Sequence, residues 1–244
     1  MARRFLDLSI AIEMGVASDP PGMEPVIEYT RHKDSLPVMA SYFPGLTAAD
    51  MPDGEGWASE RVHLSTHNGT HMDAPYHFHS TTDYGRRRAP AIDETPLAMC
   101  FAPGVKLDFR KLADGYVAGR HDVEAELKRI GHVLQPGDIV LVNTRAGEIF
   151  GQPGFVDAGC GMGREATLYL TERGVKIVGT DAWSWDAPFS HTAKRWAKNR
   201  AGSRAGSPRA AADVPSGWAP ETKPEDRARS RGWPRDHHRR SGGP

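Results

Sequence analysis

The feature that most limits what this chain can fold into is a break after Lys198. From Asn199 to Pro244 there is no Ile, Leu, Phe, Met, Tyr or Cys, and Val214, Trp218 and Trp233 are the only large apolar residues. Arginine dominates instead, at Arg200, Arg204, Arg209, Arg227, Arg229, Arg231, Arg235, Arg239 and Arg240. Such a segment buries too little apolar surface to offset the entropy of ordering it. Any core must come from residues 1–198, and 199–244 reads as a disordered Arg/Gly/Pro/Ala-rich tail. The whole chain, 39% apolar and 25% charged, has the balance of a soluble globular protein. Its formal net charge of zero gives no pull toward nucleic acid or a membrane surface, and neither partner is expected. Two cysteines, Cys100 and Cys160, cannot frame a small disulfide-stapled fold; a reducing, cytoplasmic setting fits.

Within residues 1–198 the hydrophobic periods change along the chain. Leu6, Leu8, Ile10 and Ile12 alternate with polar or small neighbours, predicting a first strand rather than a signal peptide, since Asp7 and Glu13 interrupt the apolar run. Residues 20–57, rich in Pro, Gly and Met, read as a long ordered loop with short pieces of structure. Val62, Leu64 and Thr66 predict a strand, as do Val105, Leu107 and Phe109. Val123, Leu127 and Ile130 stand at helical spacing, with Asp122 as a candidate N-cap and Gly131 as a stop. The continuous run "IVLVN" predicts a central strand, Arg164–Arg173 a helix stopped by Gly174, and "VKIVGTD" the next strand. Strand and helix alternate here, so the class is α/β with a mixed sheet. No stretch approaches the ~20 apolar residues of a membrane-spanning helix.

The chemistry concentrates in "HLSTHNGTHMDAPYHFH". Of the eleven histidines, five fall between His63 and His79. His67, His71 and Asp73 offer two imidazoles and a carboxylate, a donor set that suits a divalent metal, Zn2+ or Mn2+. Gly69 and Pro75 argue against a regular helix, so the ligands are expected on a loop leaving the 62–66 strand, with Gly69 supplying a conformation that a Cβ would block. Thr70 is a candidate for orienting a ligand. A metal held there would activate water at neutral pH, and His77 is placed to carry a proton.

The segment "HNGTHMDAPYHF" resembles the signature of the cyclase family, which includes bacterial kynurenine formamidases and isatin hydrolases. The pattern His-x-Gly-Thr-His-x-Asp-x-Pro-x-His is matched at every fixed position from His67 to His77. The resemblance continues through "VKLDFR", "LQPGDIVLVNT" and "GREATLYLTERGVKIVGTDAWSWDAPF" to roughly Lys198, nearest to the isatin-hydrolase-like branch. It implies a swivelling β/β/α cyclase-like fold, a homo-oligomer, and metal-dependent hydrolysis of a small aromatic amide or lactam. It also implies that His67, His71 and Asp73 are metal ligands and that His77 is catalytic. Hydrolysis of N-formylkynurenine to kynurenine, an arylformamidase step of tryptophan catabolism, is the leading expectation, with isatin-type lactam opening as the alternative. Trp183, Trp185 and Phe189 are candidates for an aromatic substrate pocket.

The resemblance also implies a further His, followed twelve residues later by a Glu, in the C-terminal part. Here His237 and His238 have no such Glu, and Glu221 and Glu225 have no such His. The reading is therefore a cyclase-like domain over 1–198, lacking its last strands, and an out-of-frame tail over 199–244. The chain as written is expected to hold metal weakly and to be inactive or poorly folded.

A rival motif is "FVDAGCGMG". Asp157, Gly159, Gly161 and Gly163 before a helix resemble the glycine-rich loop of S-adenosylmethionine-dependent methyltransferases, with Asp181 after the next strand as a ribose partner. That reading leaves the histidine motif unexplained and lacks the further strands such a domain needs. Asp186, Ser190 and His191 supply triad residue types without implying triad geometry. Nothing near Cys160 argues for an activated thiol.

Overall fold

The structure, a computed structural model, describes residues 7–83 and 85–202, with the backbone alone described for 199–202. The Arg-rich segment from 203 onward lies outside the described residues.

The α/β expectation holds, in a form shaped by local pairing. A parallel three-stranded sheet is built from β5 (Gly104–Asp108), β7 (Ile139–Asn143) and β9 (Ile177–Thr180), in the order β5-β7-β9. Val105 pairs with Val140, and Leu141 with Gly179. Parallel neighbours require crossovers, and two helices supply them: α3 (Arg120–Ile130) and α4 (Arg164–Glu172), which also pack on each other. A second, two-stranded parallel pair joins β6 (Val117–Ala118) to β8 (Gly161–Met162). Between them lies the main core, in which Leu107, Val123, Val140, Met162 and Leu170 are buried. As expected, "IVLVN" is the central strand. Only Val140 and Val142 are fully buried, so it presents one closed face and one half-open face.

The N-cap of helix α3 lies three residues before the expected one. Gly119 is the N-cap, and Asp122, in the first turn, accepts the Gly119 N–H at 2.8 Å. That is the returning half of a capping box. Gly131 ends the helix in the left-handed region, at φ 67°, where a Cβ is penalised.

The N-terminal half pairs antiparallel. β1 (Val26–Thr30) pairs with β2 (Ser59–His63), Val26 facing His63 and Thr30 facing Ser59. Between them lies α1 (Leu36–Tyr42), opened by a proline in its first turn. A one-turn helix, α2 (Pro75–Phe78), is followed by a short hairpin, β3 (Thr81–Thr82) with β4 (Arg87–Arg88). The antiparallel and parallel pairings thus occupy different small sheets rather than one mixed sheet. The last helix among the described residues is α5 (Phe189–Gly202).

One expected strand is absent. Residues 7–12 alternate in sequence but have no regular structure. Alternation makes a strand only where a ladder partner satisfies the backbone, and among the described residues none pairs with this segment. Its Ile10 N–H instead donates to the Thr70 hydroxyl at 3.0 Å.

Candidate metal centre

Strand β2 ends at His63 and the chain leaves it in a tight turn. The Asn68 N–H donates to the Ser65 carbonyl at 3.1 Å, and the Ser65 hydroxyl accepts the His67 N–H at 3.2 Å. Gly69 follows at φ 62°, and a Cβ there would stand 3.2 Å from the Ile12 side chain. This reversal folds His71 back toward His67. Pro75 then opens α2, whose single turn carries His77. The expected loop, rather than a helix, therefore presents the ligands.

The donor atoms converge. His67 Nδ1 lies 3.0 Å from Asp73 Oδ1 and 3.2 Å from His71 Nε2, and His71 Nε2 lies 3.6 Å from the same Asp73 oxygen. One ligand atom from each of the three residues falls within a 4.8 Å group. His71 Nδ1 lies 2.9 Å from the Gly69 carbonyl. A carbonyl only accepts, so that nitrogen carries the proton and the Nε2 lone pair faces the cluster. An imidazole nitrogen of His67, the His71 Nε2 lone pair and a carboxylate oxygen of Asp73 thus face one spot, an arrangement that could hold a cation.

A metal ion fits. Donors about 2.1 Å from a tetrahedral ion stand about 3.4 Å apart, and the observed 3.0, 3.2 and 3.6 Å bracket that value. The side chains of His67, His71 and Asp73 are 33%, 30% and 27% exposed, which leaves the site open to a ligand from solution.

His77 stands against this group. Its Nε2 is 4.0 Å from the other Asp73 oxygen, and its ring centroid is 4.3 Å from that of His67. Phe78 packs edge-on to the His77 ring at 5.0 Å. The structure therefore brings His67, His71, Asp73 and His77 together.

The aromatic candidates form other groups. Trp183 meets Phe189 edge-on at 5.2 Å and packs against the small cluster of Ala146, Phe155 and Ala158. Trp185 packs on the main core, its indole N–H donating to the Thr167 hydroxyl at 3.0 Å. Thr70, expected to orient a ligand, accepts from Ile10 and so ties the leading segment to the loop.

The glycine-rich rival does not survive its geometry. Gly161 is part of β8, and a Cβ on it would fall 1.8 Å from the Ala187 nitrogen. The Gly163 N–H donates to the Ala118 carbonyl at 2.8 Å. These glycines exist for backbone-to-backbone packing, and the space a cofactor would need is filled by protein. Asp181, the proposed ribose partner, accepts from Thr144 N at 2.7 Å, the Thr144 hydroxyl at 2.8 Å and the Asn143 amide, tying the ends of β7 and β9 together. Cys160 is buried and its thiol is pushed up to about 11 by desolvation, so it is inert as read.

Asn68 was not singled out by its sequence position. It is 4% exposed, and its side chain makes three hydrogen bonds, described below. The only local signal was an Asn beside Gly in a turn, a residue type that caps its own backbone.

The fold and site define a mixed α/β protein with a His/His/Asp centre able to bind a cation. The chain belongs to the cyclase family: the family model described as "Putative cyclase" matches residues 6–187 of its 244. No curated protein sequence matches it significantly. Among solved structures it is similar to isatin hydrolase A from Ralstonia solanacearum, with TM-score 0.56 and 22% identity over 75% of this chain and 68% of that one. It is also similar to isatin hydrolase A from Labrenzia aggregata bound to benzyl benzoate, with TM-score 0.55 and 21% identity over 76% and 70%. A structure described as a novel cyclase gives TM-score 0.54 and 19% identity, covering 74% of this chain and 64% of that one. The chain thus spans less than two thirds of the novel cyclase's length. No helix among the described residues is long and apolar enough to cross a membrane.

Proposed function

We propose that the chain is a metal-dependent hydrolase of the C–N bond in a small aromatic amide. The observation that carries this reading is the convergence of His67 Nδ1, His71 Nε2 and Asp73 Oδ1, with His77 against the same carboxylate. His67, His71 and Asp73 would hold Zn2+ or Mn2+, since neutral imidazole and carboxylate suit both. The metal supplies Lewis acidity that activates water and polarises a carbonyl. His77 takes the proton from the attacking water at a ring nitrogen and delivers it to the departing amide nitrogen as the C–N bond breaks. Asp73 holds His67 with one oxygen and faces His77 with the other, coupling the orientation of ligand and proton carrier.

The arylformamidase reaction on N-formylkynurenine is the first substrate reading. Lactam opening of the isatin type is the second, favoured by the likeness of fold to two isatin hydrolases. Trp183, Trp185 and Phe189 are the proposed aromatic contacts, Trp183 and Phe189 being already paired edge-on. Homo-oligomeric assembly and a cytoplasmic setting belong to the same proposal, as does the division into a 1–198 catalytic unit and a 199–244 tail. Because the sequence supplies no His with a Glu twelve residues on in its tail, weak metal binding and slow turnover are expected.

The test pairs metal analysis with assays on N-formylkynurenine and isatin. Chelation should abolish whatever turnover is present. His77→Ala should lower kcat by about 10²–10⁴-fold at unchanged metal content. Turnover that persists in chelator, or that His77→Ala leaves intact, contradicts the proposal.

A further inference from the structure

We infer that Asn68 is a positioning residue of the metal centre, a clamp that fixes the ligand turn onto the loop of residues 19–23. The inference rests on the metal-centre reading above.

Asn68 lies between the two histidine ligands in sequence and is buried while both of them are half-exposed. Its side-chain oxygen accepts the Ser65 N–H at 2.7 Å, and its amide nitrogen donates to Asp19 Oδ1 at 3.1 Å and to the Met23 carbonyl at 2.7 Å. An amide NH2 has two protons, and both are used. Asn68 therefore has no donor left for a substrate and acts only through what it holds.

What it holds is the turn that aims His67. The Ser65–Asn68 turn is closed twice, by the Asn68 N–H to the Ser65 carbonyl and by the Ser65 N–H to the Asn68 side chain. The receiving loop is also closed, with the Met23 N–H donating to the Pro20 carbonyl at 3.0 Å. Three residues beyond Met23 the chain enters β1, whose Val26 faces His63 at the end of β2. The two strands stop pairing there, and the Asn68–Met23 bond joins the chains again just past the ladder. Without it the ligand turn would keep only its link to β2 and the single bond from Ile10 to Thr70, with few apolar contacts to restore its position.

A near-isosteric change separates the clamp from its shape. Asn68→Asp keeps the acceptor for Ser65 but removes both donors and sets a carboxylate against Asp19 and the Met23 carbonyl. Asn68→Ala removes all three bonds. Asp19→Ala removes one acceptor, at a position 49 residues from Asn68 and outside the ligand motif.

The experiment is calorimetric titration of the metal-free full chain with Zn2+, well below its unfolding midpoint, alongside thermal unfolding of each metal-free variant. Asn68→Asp and Asn68→Ala should weaken Zn2+ by about 10–100-fold, the range seen when partners of metal ligands are removed. Asp19→Ala should weaken it less. A merely structural role would lower the unfolding midpoint and leave the Kd of the folded protein alone; an unchanged Kd in folded Asn68→Asp overturns the inference. If the Asn68 variants do not fold, Asp19→Ala decides, and unchanged affinity there overturns it equally. His67→Ala distinguishes the two readings. Zn2+ binding equal to the parent in that variant removes the metal centre itself, whatever Asn68 does.

Discussion

The chain divides into two regions that are held together in different ways. From residue 104 to 180 a parallel sheet and two helices close over a continuous apolar core. From residue 7 to 103 the buried apolar residues among those described are few, Pro25, Met39, Ala74 and Ala89. The β1–β2 ribbon there has no buried residue, and β2 is exposed along its whole length. Order in this half comes from polar contacts: the Ser35 hydroxyl on the His32 carbonyl, the Asp50 carboxylate on Thr47, the Asn68 clamp. The first region is a scaffold and the second carries the donors. A site built on hydrogen-bonded turns can be re-aimed by single polar contacts, whereas the scaffold responds mainly to volume.

The largest expected effect follows from that contrast. Leu107, fully buried at the centre of the sheet core, loses both transfer energy and packing on truncation. Leu107→Ala should destabilise the protein by about 2–5 kcal/mol, measured by urea unfolding of the metal-free chain. In whatever fraction stays folded, Zn2+ affinity should be that of the parent. A loss of affinity in the folded fraction would show that the two regions are not separable.

The same contrast explains how much was legible in the sequence. In the scaffold the longer elements announce themselves, because packing against neighbours is what creates the period: buried Val123 and Leu127 for α3, the run of β7 for a central strand; the two-residue strands β6 and β8 are too short to show one. In the donor half, local pattern and structure part company. The alternating segment 7–12 has no ladder partner, while "VIEYT", lying in a stretch rich in Pro and Gly, became β1 because residues 59–63 pair with it. The four candidate site residues could be proposed from the sequence because they fall within one short stretch, from His67 to His77. Asn68 was not, since its partners Asp19 and Met23 lie 49 and 45 residues away. The spacing of Gly161 and Gly163 suggested a cofactor loop for an equally tertiary reason: the close approach of the 186–187 backbone to Gly161, and of Val117 and Ala118 to Gly163, needs the same residue type.

A second, smaller effect concerns acid. Three carboxylates of the scaffold are held below their usual range. Asp108 is lowered mainly by hydrogen bonds from Arg110, and Glu126 by those from Arg129. For Asp138 burial pushes upward, but bonds from the Gln135 N–H and His132, both at 2.8 Å, outweigh it. A depressed folded pKa stabilises above the unfolded value, about 3.9 for Asp, and that contribution is lost as pH falls through the folded value. Stability should therefore drop below about pH 4. Asp138→Asn should cost about 1.5–3 kcal/mol near neutral pH, the scale of a hydrogen bond to a charged group, and flatten the acid limb. Urea midpoints of the two proteins from pH 3 to 6 check both. Parallel acid limbs would mean that Asp138 is not one of the groups responsible.

The smallest expected effect on stability is the most informative about the division. His71 is 30% exposed on its side chain, and its polar contacts are local ones, to the Gly69 carbonyl, His67 and Asp73. His71→Ala creates no core cavity and should shift unfolding of the metal-free chain by no more than about 0.5 kcal/mol, as substitutions outside a core do. It removes the lone pair that completes the donor set, so Zn2+ should no longer raise the unfolding midpoint. In the parent, any ion that binds only the folded state raises it by mass action. Thermal scans of both proteins with and without Zn2+ compare the two directly. A midpoint that collapses in His71→Ala without metal would mean that the imidazoles hold the turn as well as the ion, and that the donor half has no stability apart from its site. A midpoint that Zn2+ still raises would place the ion elsewhere. The expected pattern, unchanged without metal and unresponsive with it, would show that the scaffold carries the stability while the turn after β2 carries only the ligands.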